Sequence, residues 1–257
     1  MEINNVSFAY QDGLKRLKNI RGFIKQGEIT TIIGPNGSGK STLLGVLTKH
    51  LQPQSGVVTL DDKLLTTYSL KGLAKKMAVV HQQNDVPSEM TVENLVYYGR
   101  LPYKRSFSAY TEEDRSIVEW ALTSTGLLSR KNDIVSQLSG GQQQRVWIAM
   151  ALAQKTPYLF LDEPTANLDV FYQYDLLKLV KQLNKSYGLT VVMVLHDMTQ
   201  AIQFSNQLIA MKDGEVVDAG RPEKVMTEET IEEIYGIKAV VKKDEKLGMY
   251  IIPVHTM

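Results

Sequence analysis

Ile29-Thr30-Thr31-Ile32-Ile33-Gly34-Pro35-Asn36-Gly37-Ser38-Gly39-Lys40-Ser41-Thr42-Leu43-Leu44-Gly45-Val46-Leu47 is the stretch that decides the fold class. Its first five residues are β-branched and largely apolar, the composition of a buried strand. Its last six read as the start of a helix. Between them, residues 34–41 fit G-x-x-x-x-G-K-[ST], a loop whose glycines let backbone N–H groups turn inward around phosphate oxygens. The helix N-terminus adds a positive field. Lys40 supplies a mobile cation for β- and γ-phosphates, and the Ser41 hydroxyl can ligate Mg²⁺. Strand, glycine loop and helix in that order predict a P-loop in an α/β sheet.

A second apolar run, Tyr158-Leu159-Phe160-Leu161, ends in Asp162-Glu163. Acids at that place emerge at the carboxyl edge of a buried strand, where ligands bind in open α/β sheets. Asp162 is placed to hold Mg²⁺ and Glu163 to polarise an attacking water. His196 closes the run Val191-Val192-Met193-Val194-Leu195, and its distance from the acids fits one helix and a return to the next parallel strand. Gln82 follows Met77-Ala78-Val79-Val80-His81, again a strand with a polar end. Taken singly, a histidine at a strand end is usually structural or simply exposed, and a glutamine after a strand means little.

A second glycine-rich segment, Ser139-Gly140-Gly141-Gln142 after Leu138, narrows the reading. With it, the chain resembles the ATP-binding subunits of ABC transporters, over residues 2 to about 235. The resemblance makes residues 34–41 with Thr42 the Walker A motif and Leu138-Ser139-Gly140-Gly141-Gln142 the signature. It makes residues 158–162 Walker B, Ala166-Asn167-Leu168-Asp169 the D-loop, His196-Asp197 the H-loop and Gln82 the Q-loop. Tyr10 stands where the family places an aromatic that stacks on adenine. Gln83 beside Gln82 leaves the Q-loop open to one residue; Gln82 suits the distance to Thr91-Val92 better. Residues 98–103, 149–154 and 194–198 resemble more narrowly the subunits that drive importers of iron–siderophores, haem and cobalamin. Tyr172 departs from that group, which often carries His there, at a position outside the nucleotide chemistry.

What the resemblance implies is an ATPase whose cofactors are ATP and Mg²⁺. Glu163, His196 and Gln82 are its catalytic residues. Tyr10, Gly34, Pro35, Asn36, Gly37, Ser38, Gly39, Lys40, Ser41, Thr42, Ser139, Gly140, Gly141 and Gln142 touch the nucleotide, and Ser41, Gln82 and Asp162 the metal. The signature of one subunit would cover the γ-phosphate on another, so the chain is expected to work as a homodimer. Two transmembrane permease subunits and, indirectly, a substrate-binding protein complete the expected assembly at the cytoplasmic face of the membrane. Residues 84–104 are expected to dock the permease, with Arg100 on that surface. The alternative weighed is a soluble ABC ATPase acting on ribosomes or DNA; it would carry a second cassette, coiled-coil insertions or basic extensions.

Composition bounds the rest. The 257 residues are 43% hydrophobic, ample for a core. There is no cysteine, hence no disulfide, thiolate metal site or thiol redox chemistry, as expected of a cytosolic chain. A formal net charge of +1 gives no basic footprint for nucleic acid. No apolar run reaches the ~20 residues that span a bilayer, and the residues after Met1 do not read as a signal peptide. Periodicity predicts three parts over residues 1–236, which the resemblance makes one nucleotide-binding domain. They are an antiparallel β-lobe with a turn at residues 11–13, a parallel-sheet core from residues 34–81 and 155–220, which the resemblance makes RecA-like, and an α-helical lobe at about 88–150. Thr111 caps the long amphipathic stretch of that lobe. Residues 237–257 are expected to form a short tail, a hairpin turning at residues 244–248.

Overall fold

The computed structural model describes residues 1–10, 13–82, 84, 88–104, 109–244 and 248–254. Gln83, Gln11 and Asp12 of the expected turn, residues 85–87 of the expected docking stretch and residues 245–247 of the expected hairpin turn lie outside them.

In chain order, β1 (Glu2–Ala9) and β2 (Lys15–Phe23) are followed by β3 (Ile29–Ile33), α1 (Lys40–Leu47), β4 (Ser55–Leu60) and β5 (Lys63–Leu64). Then come α2 (Leu70–Leu73), β6 (Met77–Val80), α3 (Val92–Tyr97), α4 (Glu112–Ser124) and α5 (Gly140–Ala153). The remainder is β7 (Tyr158–Leu161), α6 (Val170–Tyr187), β8 (Thr190–Val194), α7 (Met198–Phe204), β9 (Gln207–Lys212) and β10 (Glu215–Gly220). It ends with α8 (Pro222–Val225), α9 (Glu228–Tyr235), β11 (Ala239–Asp244) and β12 (Gly248–Pro253). The chain forms two compact units, Met1–Tyr68 with Thr190–Met257, and Ser69–Leu189.

In the first unit, β2, β1, β4 and β5 make an antiparallel sheet. Every residue of β3 and of β8 is buried, as a strand covered on both faces demands. β3 pairs in parallel with both, Ile29 opposite Val191 in β8 and Thr30 opposite Gln207 in β9. β10, expected among the parallel strands, runs antiparallel to β9. The reason is local: Asp213 (φ 48) and Gly214 (φ 81) form a two-residue turn that can only fold the chain back. β11 and β12 pair antiparallel from Ala239–Pro253 to Asp244–Gly248.

In the second unit β6 and β7 pair in parallel, Val80 opposite Leu161. Around them α3, α4 and α5 bury Leu95, Val96, Val118, Leu122, Val146 and Ile148. Thr111 caps α4 by a capping box: its Oγ1 accepts from Asp114 N at 3.1 Å, and Asp114 Oδ2 accepts from Thr111 N at 3.0 Å.

Arg100 is not on the surface. Its side chain is 4% exposed, its Nε donates to Asp114 Oδ1 at 2.8 Å, and its terminal nitrogen donates to the Ala153 carbonyl at 2.8 Å. The guanidinium also lies 4.1 Å from the centre of the Tyr103 ring, whose hydroxyl donates to the Gln154 carbonyl at 3.0 Å. A cation on the last carbonyls of α5 answers the negative end of that helix. The stretch from Tyr98 to Tyr103 is therefore a joint that fastens α3, α4 and α5, and Gly99 fits there because a β-carbon would lie 2.2 Å from the Met150 carbonyl oxygen.

Candidate functional site

The first unit carries the phosphate loop. β3 delivers the chain to Gly34, which has φ 148, and a β-carbon there would sit 2.2 Å from the Met211 carbonyl oxygen of β9. Gly39, with φ 100, is the N-cap of α1, and no side chain caps that helix. An N-terminus so arranged presents first-turn N–H groups to an anion. Lys40 is 5% exposed, and its ammonium turns back onto the carbonyls of Gly34 at 3.0 Å and Pro35 at 2.9 Å. The Ser38 hydroxyl is buried with no hydrogen-bond partner among the described residues; a buried donor of that kind is also a phosphate's natural contact.

Asn36, Gly37 and Ser41 are exposed around that loop. Tyr10 is 44% exposed, edge-on to Phe8 with ring centres 4.9 Å apart, and its hydroxyl lies 3.5 Å from Thr42 Oγ1. The expected adenine platform and the end of the phosphate loop are thus neighbours. His196 stands two residues beyond the end of β8 and is exposed; Asp197 after it caps α7, accepting from Gln200 N at 2.8 Å.

The second unit carries the acids. The parallel register of β6 and β7 continues one residue beyond the strands, Asp162 N donating to the Val80 carbonyl at 2.9 Å. The next residues then meet by their side chains: Gln82 Nε2 donates to Glu163 Oε2 at 2.8 Å. Glu163 takes a left-handed backbone, φ 48, uncommon for a residue with a β-carbon. That turn swings it off the strand line.

In the same unit Ser139 caps α5, a helix of 14 residues. Its Oγ accepts from Gln142 N at 3.4 Å, and Gln142 Oε1 accepts from Ser139 N at 3.1 Å. Because the oxygen accepts, the hydroxyl hydrogen is the part of Ser139 that can be given to a ligand. Gly141 is buried, and a β-carbon on it would lie 3.0–3.2 Å from Cδ1, Cγ and Cβ of Tyr172. Tyr172 therefore packs directly against the signature, whereas its sequence position suggested no part in the site. Asp169 holds it there as the N-cap of α6, accepting from Tyr172 N at 3.4 Å. One turn further along both helices, Arg145 pairs with Asp175 and also donates to the Thr125 carbonyl at 2.8 Å. The signature and the D-loop are thereby braced as one piece. No spacing rule announces the Tyr172 contact; only two adjacent glycines after a helix cap hinted that something packs close.

Among the described residues no three His, Cys, Asp or Glu side chains gather as a metal cage. Oxygen donors of the Ser, Gln and Asp kind suit a hard divalent cation that retains waters and phosphate oxygens. Gln82 fits this: its amide nitrogen is engaged by Glu163, so its oxygen is the atom a cation would use.

A phosphate loop ending one strand and paired acids ending another define a P-loop nucleotide-binding protein of the α/β class. The chain belongs to the ABC transporter family, whose model matches residues 17–166. It is 44% identical over 223 residues, 87% of this chain and 83% of the relative, to the iron(3+)-hydroxamate import ATP-binding protein FhuC of Bacillus subtilis (strain 168). Its fold resembles that of a metal-chelate type ABC transporter in an inward-facing conformation, with TM-score 0.86, 25% identity and coverage of 99% and 96% of the two chains. It also resembles the dimeric post-hydrolysis state of the ATP-binding cassette MJ0796 bound to ADP and Pi, with TM-score 0.74, 35% identity and coverage of 86% and 98%. The chain is an ATP-binding ATPase with the ABC form of the P-loop fold: antiparallel β-lobe, RecA-like core and helical lobe. Among the described residues no helix is long and apolar enough to cross a membrane.

Proposed function

We propose that this chain is the ATP-hydrolysing subunit of an importer for an iron–siderophore or a similar chelate such as haem or cobalamin. It would work as a homodimer on the cytoplasmic face of the membrane, beside two permease subunits fed by a binding protein. The hydroxamate importer subunit and the metal-chelate transporter support the cargo class, and the dimeric cassette supports the pairing.

The observation that carries the reading is that one chain holds two unlike helix N-termini suited to phosphate: Gly39–Lys40 of α1, and Ser139 with its Gly140 and Gly141 amides on α5. In this reading the first serves the nucleotide held by the same chain and the second a nucleotide held by a partner copy. In this reading Tyr10 stacks on adenine, residues 34–42 cradle the phosphates, and Ser139–Gln142 of the partner copy closes on the γ-phosphate. Mg²⁺ would be held by Ser41, Asp162 and the Gln82 oxygen and would neutralise developing phosphate charge. Glu163 takes the proton of the attacking water, Gln82 holds its carboxylate in line, and His196 steadies the γ-phosphate and that water. ATP favours closure of two copies because the γ-phosphate gains contacts there that ADP cannot make.

For permease docking the burial of Arg100 shifts attention to its neighbours. Tyr98 is 46% and Leu101 51% exposed. A depression of about 540 Å³ is lined by Met90, Tyr97, Tyr98 and Tyr110 together with the polar Ser88, Glu89 and Asn94, a mixed lining suited to a short amphipathic helix.

The test is Glu163→Gln in the assembled transporter. The amide keeps shape and loses the base, so ATP should still bind while turnover falls by about 10²–10⁴-fold and an ATP-bound dimer accumulates. Hydrolysis near the wild-type rate would refute the role given to Glu163.

A further inference from the structure

The C-terminal hairpin lies against the helix that follows His196. α7 buries Gln200, Ala201 and Phe204 and lies beside β3. Its far end is tied to that strand: the Ser205 hydroxyl meets the Thr31 hydroxyl, and the Asn206 amide oxygen accepts from Ile29 N at 2.8 Å. On the side of α7 turned away from Gln200 and Phe204 stand Met198 and Ile202, one turn apart. Both are half-buried although they face away from the core. β12 runs beside α7 and is the strand placed to cover this apolar stripe.

The hairpin has one face to offer. Val241 pairs with Ile251 and Lys243 with Met249, so these residues share a face with Ala239. That face is the covered one: Ala239 is 6% and Met249 9% exposed, whereas Ile252 on the opposite face is 46% exposed. β11 lies beside α9, and Val241 N donates to the Glu228 carboxylate at 3.1 Å. A two-stranded hairpin is marginal alone, and a helix of seven residues is too short to hold itself. Each is placed by the other.

His196 sits at the other end of α7. Asp197 is locked to the first turn twice: its Oδ1 accepts from Gln200 N at 2.8 Å and its carbonyl from Ala201 N at 3.0 Å. Leu195 N donates to the Ile32 carbonyl at 3.3 Å. The sheet therefore holds one side of His196 and α7 the other. With a rise of about 1.5 Å per residue α7 is ~10 Å long, so a tilt of about 5° around its Ser205 end moves the first turn by about 1 Å. A misplacement of that size can cost about 10²-fold in rate.

We propose that Met249 is a positioning residue for hydrolysis: it seats the C-terminal hairpin on α7, and α7 in turn fixes where His196 stands. This rests on reading His196 as the residue that steadies the γ-phosphate and the attacking water. The phosphate loop and the acids lie on other segments, so the hairpin acts on turnover and leaves ATP affinity alone.

The test is Met249→Asp in the full chain, read beside Ile252→Asp on the exposed face. In Met249→Asp without nucleotide, hydrogen exchange of the Gln200 and Ala201 amides should quicken about tenfold. Its kcat should fall about tenfold or more, while the calorimetric Kd for Mg-ATP stays within about twofold at unchanged stoichiometry. Met249→Leu should behave as wild type in all three, and Ile252→Asp should change none. In His196→Ala chains, adding Met249→Asp should cost no further rate, because the hairpin acts through that side chain. A hairpin serving packing alone would lower the melt, and its loss would multiply with that of His196→Ala. Wild-type kcat or unchanged exchange in Met249→Asp, or a multiplied loss in the double variant, overturns the proposal. Should Met249→Asp fail to fold, Met249→Ala is read by the same criteria. If His196→Ala alone kept the wild-type rate, the role given to His196 would fall first and this inference with it.

Discussion

Replacing Arg100 by leucine should be among the most damaging single changes to this chain that touch no nucleotide-binding residue. The substitution removes the hydrogen bonds to Asp114 and to the Ala153 carbonyl, each 2.8 Å long, and the guanidinium–Tyr103 contact. Asp114, with a side chain only 12% exposed, would then carry its charge without a cation. Breaking a buried pair from one side costs about 3–5 kcal/mol. Asp114 keeps its Thr111 bonds at 2.8 and 3.0 Å, which favours the lower end, about 3 kcal/mol. At about 2–4 °C per kcal/mol for a chain of this size, the melting temperature should fall by about 6–12 °C at pH 7. The loss should also depend on pH. Burial pushes the Asp114 carboxyl up, but the Arg100 hydrogen bond, the Thr111 bonds and the Arg100 charge outweigh it and hold the group below the usual carboxylate range. A depressed native pKa contributes stability above the unfolded value of about 3.9, and that contribution is lost as pH falls through the native value. The gap between wild type and Arg100→Leu should therefore be full at pH 7 and close below about pH 4. Calorimetric melts of the isolated chain at pH 7, 5 and 3.5, with Arg100→Leu/Asp114→Leu as the second arm, decide it. The double variant should lose less than the sum of the singles. A shift under about 2 °C at pH 7, or strictly additive losses, would refute the reasoning.

Two further outcomes follow from the signature and the loop. Gly141→Ala drives a methyl to within 3.0–3.2 Å of Cδ1, Cγ and Cβ of Tyr172, so it should weaken ATP-dependent dimerisation of Glu163→Gln chains about tenfold or more while ATP binding to the single chain is kept; light scattering against ATP concentration reads the first and calorimetry the second. Mixing Lys40→Ala with Ser139→Arg subunits should leave one of two composite sites intact, so that closed-state Mg-ATP binding survives in the mixed dimer and fails in either homodimer; equal binding by both homodimers would sink the trans arrangement.

What the sequence by itself determined is what short-range physics controls. β3, the glycine loop and α1 are consecutive, and their strand, left-handed glycine and helix preferences act over a few residues. The Thr111 cap needed only Asp114 three positions on, and the apolar run ahead of Asp162 placed the acids at a strand end. The reversal into β10 was written in Asp213-Gly214, a turn that the parallel reading of residues 155–220 passed over. Other features have no local cause. Arg100 is buried because partners 14 and 53 residues away in Asp114 and Ala153 meet it; its own neighbours Leu101 and Lys104 gave no hint of that. Gln82 reaches Glu163 across 81 residues because two parallel strands share a register. Tyr172 settles on Gly141 only once α5 and α6 pack side by side. Propensity and periodicity carry information over one or two turns of chain, whereas burial and side-chain partnership depend on which distant segments the closed fold brings within a few ångströms.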